Sequence, residues 1–67
     1  MRKYLILQRR SHNWTQRQVA QLIGLSVQMI SMIETGKRNP SKLTMDKMED
    51  LFGIPQRELF ENHDTKT

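Results

Sequence analysis

The side chains that could carry chemistry in this chain are few and unevenly placed. His12 and His63 stand alone in sequence and cysteine is absent, so neither a thiolate nucleophile nor a Cys/His metal set can be assembled. Asp46, Glu49 and Asp50 are spaced as one solvated helix face rather than as a paired acid and base. His12 reads as a surface residue near a helix end. No catalytic residue, metal or cofactor is expected, and the chain does not read as an enzyme. What remains is charge. Residues 1–45 hold eight basic side chains (Arg2, Lys3, Arg9, Arg10, Arg17, Lys37, Arg38, Lys42) against one acid, Glu34. Residues 46–67 hold three basic and six acidic ones, within a net charge of +4. A basic front and an acidic rear point to a polyanion meeting the first half; ordinary solubilising charge is the other reading.

One run sits oddly among these charges. VQMISM, residues 27–32, places Val27, Gln28, Met29, Ser31 and Met32 where a soluble helix normally puts Glu and Lys on its open face.

Sixty-seven residues make one domain, near the lower limit for folding on a single hydrophobic core. Without cysteine, no disulfide or thiolate-bound metal helps that core. The start MRKYLIL has a basic end, but its apolar run is far too short for a signal-peptide core or a membrane span. A soluble, cytoplasmic protein that leaves membranes alone is expected.

The elements that must position these groups are all helical. Residues 2–12 read as a first helix with Met1, Leu5, Gln8 and Arg9 on its inner face. Asn13 follows, a residue that tolerates the left-handed conformation used to end helices, and Trp14 plugs the gap between the first two helices. Thr15 followed three residues later by Gln18 fits a capping box, opening a second helix at 16–23 with Val19, Ala20 and Ile23 on one face. Gly24 ends it. Ser26 caps a third helix at 27–35 that buries Ile30 and Ile33, with Leu25 held in the turn, and Gly36 stops it. KRNPS (37–41) is a loop, and Ser41 caps a fourth helix at about 42–52 with Met45, Met48, Leu51 and Phe52 spaced for burial. Gly53 and Pro55 lead to a short fifth helix anchored by Leu59 and Phe60. The domain is expected to occupy 1–61, with 62–67 a polar tail. No stretch alternates as a strand, so the fold class is all-α.

Helix, three-residue turn around Gly24, helix is the helix-turn-helix arrangement. Ala20 is small because the two helices cross there. Gly24 lies where the chain must take a positive φ, which is cheap only without a Cβ. On these residues the chain resembles the Cro/cI-type, lambda-repressor-like DNA-binding domain of the XRE family of bacterial and phage regulators. The likeness runs from Leu5 and Arg9 through TQxxVAxxIGLSxxxISxIExGKRNPS to LFGIPxxELF, covering residues 5–60. IExGKRNP in register with an upstream TQ is its most specific part.

The resemblance implies a compact five-helix fold whose third helix lies in the DNA major groove, its N-terminal residues at base edges. Ser26, Val27, Gln28 and Met32 fall on base-reading positions, with Ser31 and Met29 beside them. Gln28 can pair bidentately with adenine, and Val27 and Met32 can pack on thymine methyls. No Arg or Lys in this helix can grip guanine, so an A·T-weighted half-site is expected. For Met29 and Met32 a second reading stands, as core or dimer contacts, because Met commonly fills gaps. Gln16, Arg17, Thr35, Lys37, Arg38 and Asn39 are the phosphate candidates, with Arg10 and Lys42 weaker ones. Arg9 and Glu34 match positions that form a partly buried structural ion pair between the first and third helices.

The chain also departs from the family pattern. Gln8, Asp46 and Gln56 stand at commonly apolar positions, while Tyr4, Ile6 and Leu7 add apolar surface to the first helix. The function implied is a sequence-specific regulator of transcription, a repressor acting as a homodimer on an inverted repeat of double-stranded DNA. A small Cro-like phage regulator, a restriction-modification controller and the DNA-binding domain of a longer repressor all fit. The alternative is an antitoxin or other protein-interaction module with autoregulatory DNA binding, for which the tail ENHDTKT is short and polar.

Overall fold

Each of the three middle helices opens on a hydroxyl and closes on a glycine. The structure, a computed structural model, describes residues 1–60. They form α1 (Lys3–Ser11), α2 (Gln16–Ile23), α3 (Val27–Thr35), α4 (Lys42–Phe52) and α5 (Gln56–Phe60), an all-α fold without strands among the described residues. The expected tail at 62–67 lies outside them.

Local chemistry explains the boundaries. Thr15 Oγ1 accepts from the Gln18 N–H at 3.0 Å while Gln18 Oε1 accepts from the Thr15 N–H at 2.8 Å, a complete capping box. Ser26 Oγ accepts from the Met29 N–H and Ser41 Oγ from the Thr44 N–H, each at 3.1 Å. Such caps satisfy donors that a helix start otherwise leaves orphaned, each stabilising by about 1 kcal/mol. After α1 the chain turns at Asn13, which has φ +60°.

The core gathers Leu5 of α1, Val19, Ala20 and Ile23 of α2, Ile30 and Ile33 of α3, Met48 and Phe52 of α4, and Leu59 of α5. Every helix contributes, so none buries its apolar stripe alone. α3 packs against both α1 and α2, α4 packs against α2 and α5, and α1 against α5. The helix carrying the uncharged run is thus held from two sides, leaving a third for solvent.

Four expectations need correction. Met1 is 71 % exposed rather than inward-facing; it precedes the first helical residue, so the helical period that buries Leu5 does not reach it. Met45 and Leu51 are half-buried, at the edge of the stripe whose centre is Met48 and Phe52. Trp14 packs across α4 instead of simply filling between α1 and α2: its ring stacks on His12 at 4.4 Å and tilts against Phe52 at 5.6 Å. Asp46 and Glu49 are not merely solvated, because Gln56 Nε2 donates to Asp46 Oδ1 and Glu49 Oε1, both at 2.8 Å. Lys42 Nζ lies 3.1 Å from Asp46 Oδ1 and donates to Gln56 Oε1 at 3.1 Å. The polar Asp46 and Gln56 thus tie α5 to α4 by hydrogen bonds. Gln56 first, then Lys42, hold the Asp46 carboxyl below its ordinary 3.8.

Candidate nucleic-acid interface

Gly24 makes the turn at the centre of the candidate site. Its φ is +79°, and its N–H donates to the Ala20 carbonyl at 2.8 Å, as does that of Leu25 at 2.9 Å. A Cβ added at Gly24 would meet nothing within 4 Å. Glycine is therefore required here by backbone conformation and not by space. Lys47 Nζ donates to the last carbonyl of α2, that of Ile23, at 3.3 Å and places a cation at the negative end of that helix.

Beyond the turn, α3 separates its residues by face. Ile30 and Ile33 are 1 % exposed. Gln28 is exposed, and its amide has no hydrogen-bond partner among the described residues. Ser26 is exposed too; its Oγ accepts the cap bond and keeps its own proton to donate. Val27 and Met29 are half-buried and pack on the core, while Met32 and Ser31 are half-buried without joining it. The two methionines thus differ: Met29 is a packing residue, and Met32 retains an open side.

The flanking residues divide in the same way. Arg17, Thr35, Lys37, Arg38 and Asn39 are exposed. Thr35 Oγ1 donates to the Met32 carbonyl at 3.2 Å. Gln16 is half-buried, and its Nε2 donates to Glu34 Oε1 at 2.9 Å. Gln16 and Thr35, with Arg10 and Lys3, border one hollow of about 460 Å³ whose apolar wall is Met1, Ile6 and Leu7. The first turn of α2 contains no acid of its own.

Arg9 and Glu34 form the bond that holds α3 to α1. Arg9 Nε donates to Glu34 Oε2 at 2.5 Å and Nη2 to Oε1 at 3.2 Å, a two-pronged pair with 8 % and 3 % residue exposure. The remaining Arg9 nitrogen, Nη1, donates to the Trp14 carbonyl at 2.8 Å. Arg9 makes no exposed contact, so the acid that would have repelled a polyanion is neutralised inside the fold.

One residue escaped the sequence reading. Arg2 donates through Nη1 to the carbonyls of Ile33 at 2.6 Å and Arg38 at 3.2 Å, and through Nη2 to Asn39 Oδ1 at 2.7 Å. These partners lie 31 to 37 positions away, so no local pattern could have announced them.

The comparisons agree with this geometry. The helix-turn-helix family matches residues 5–59. An uncharacterized HTH-type transcriptional regulator of Methanocaldococcus jannaschii is 37% identical over 60 residues, 90% of this chain and 91% of that relative. No solved structure matches the chain. Among the described residues no His, Cys, Asp or Glu cluster could hold a metal, and no helix is long and apolar enough to cross a membrane. With a capped helix, a left-handed glycine turn and a second helix held on two faces, this chain belongs to the Cro/cI-type helix-turn-helix family of DNA-binding domains.

Proposed function

We propose that this chain is a sequence-specific transcriptional regulator that represses by binding double-stranded DNA as a homodimer on an inverted repeat with A·T-weighted half-sites. The observation that carries this reading is the open face of α3: an exposed Gln28 amide without a partner among the described residues, beside Val27 and Met32, in a helix with no cation. Such a face suits the adenine edge and the thymine methyl and gives guanine no bidentate cation. Ser26 and Ser31 complete the base-reading set. Gln16, Arg17, Thr35, Lys37, Arg38 and Asn39 hold the phosphates on either side. The relative's description as a transcriptional regulator supports the same role.

Selection from a randomised duplex pool tests the reading. The chain should recover related half-sites rich in A·T, in inverted pairs about one helical turn apart. Recovery of unrelated sequences, or of G·C-centred sites, overturns it.

A second reading, a protein-interaction module that neutralises a partner and also binds DNA, is favoured by the exposed Met1 and Leu7 beside the hollow. Leu7→Ser should abolish capture of a partner on the second reading, whereas a chain that captures no partner even as wild type ends that reading.

A further inference from the structure

The last turn of α3 has its carbonyls accounted for in an unusual way. A helix end leaves about four carbonyls without intrahelical donors. Here the Met32 carbonyl accepts from the Arg38 N–H at 3.2 Å as well as from Thr35 Oγ1. The Ile33 carbonyl accepts from the Gly36 N–H at 3.3 Å and from Arg2 Nη1. The Glu34 carbonyl accepts from the Arg2 N–H at 2.7 Å. The start of the chain thus supplies donors that the helix's own sequence lacks, since its last turn holds no basic residue. A guanidinium placed there also faces the negative end of the helix dipole. The backbone of Met1 runs close beside Gly36, 3.6 Å from where a Cβ would sit.

The same guanidinium reaches into the loop. Nη1 takes the Arg38 carbonyl and Nη2 takes Asn39 Oδ1, so the Asn39 oxygen is occupied and its Nδ2 is left as the end with hydrogens to give. Asn39 is exposed and Nδ2 has no partner among the described residues. An amide free to turn would offer a phosphate its oxygen half the time, which is repulsive. An amide held by its oxygen offers only donors.

We infer that Arg2 is a positioning residue for DNA binding: it locks the 36–39 loop onto the end of α3 and orients Asn39 so that Nδ2 donates to a phosphate. This rests on the DNA-binding reading of that loop. Three of the five guanidinium N–H donors of Arg2 are committed within the fold, to the Ile33 and Arg38 carbonyls and to Asn39 Oδ1.

The test measures affinity for one fixed, labelled duplex, together with the melting temperature, for the full chain and its variants. Asn39→Asp keeps an acceptor for Arg2 but removes the donor, so melting should hold or rise while affinity falls about tenfold or more. Arg2→Gln should lower affinity by a similar factor at temperatures where the chain is fully folded. Asn39→Ala alone and the double substitution Arg2→Gln with Asn39→Ala, neither of which introduces an acid, complete a cycle in which the double should cost no more than the larger single change, since both break one unit. This cycle also answers the objection that a new negative charge repels DNA wherever it stands. Additive losses would show that Arg2 contacts phosphate on its own account and overturn the inference. Unchanged affinity of Asn39→Asp would overturn it as well, and so would unchanged affinity of Asn39→Ala, which removes the donor without adding charge and keeps the inference falsifiable even if Arg2→Gln does not fold. A wild-type chain that binds no duplex at all ends the DNA reading and this inference together; a wild-type chain that binds while the variants bind equally well ends this inference alone.

Discussion

Gln16 and Arg9 share one oxygen: Gln16 Nε2 donates to Glu34 Oε1 at 2.9 Å, and Arg9 Nη2 reaches the same atom at 3.2 Å. One buried carboxylate therefore fixes the last turn of α1 and the first turn of α2 against α3. Removing a partner from such a unit leaves a buried charge unpaired. Glu34→Gln should destabilise the fold by about 3–5 kcal/mol, much of what a chain this small has to spare. Urea unfolding measures it, and a midpoint equal to wild type would show that the pair contributes nothing.

Base reading and backbone binding should separate cleanly at Gln28. Gln28→Ala should lose about 1–3 kcal/mol of preference between the selected duplex and a scrambled one while retaining affinity for the scrambled one. Competition binding at fixed salt checks this. If preference survives in both Gln28→Ala and Val27→Ala, α3 does not read bases through these positions.

The complementary change is Lys37→Gln with Arg38→Gln. Affinity should drop equally for every duplex, and the slope of log affinity against log salt should become shallower by about 0.9 for each phosphate no longer neutralised. An unaltered slope would mark the two cations as solvated loop charges.

Gly24 supplies a prediction about backbone alone. A Cβ there meets open space, so the cost of Gly24→Ala is the left-handed conformation itself, about 1–2 kcal/mol. Gly24→Asn should cost less, since Asn13 adopts the same region at φ +60° in this chain. Thermal melts of the two variants order them, and equal melting temperatures would contradict the argument.

Acid sensitivity should show at Asp46. Its carboxyl is held below the ordinary 3.8 by Gln56 and then Lys42. A depressed folded-state value means stabilisation that is present above the unfolded value and lost as pH falls through the folded one. Wild type should therefore weaken more steeply than Asp46→Asn below about pH 4. Parallel curves for the two in unfolding against pH would remove Asp46 from the acid limb.

What the sequence made legible follows the range of the interaction. Thr15, Ser26 and Ser41 cap bonds across three residues, and Gly24, Gly36 and Gly53 each end the helix beside them, so these boundaries could be read from neighbours alone. The inner faces of α2 and α3 followed from helical period. The Arg9–Glu34 pair spans 25 positions and came from family likeness, not from spacing. Arg2 reaches partners more than 30 positions away and matches no pattern, so it went unseen. Met1 precedes α1, where the helical period that buries Leu5 has no hold. Gln56 stands at a commonly apolar position because Asp46 and Glu49, on a different helix, lie within its reach, which spacing within α5 does not reveal.

The burial of Glu34 also bears on how fast the chain could find its target. With that carboxylate paired inside, no negative side chain remains exposed among residues 1–45, while Lys3, Arg10, Arg17, Lys37, Arg38 and Lys42 are all at the surface. A polyanion approaching these residues meets cations without an exposed acid among them. Association should be steered, with an encounter rate that collapses as ionic strength rises even where the final complex survives. Hiding a single acid leaves those six cations without an opposing charge beside them in the first 45 residues.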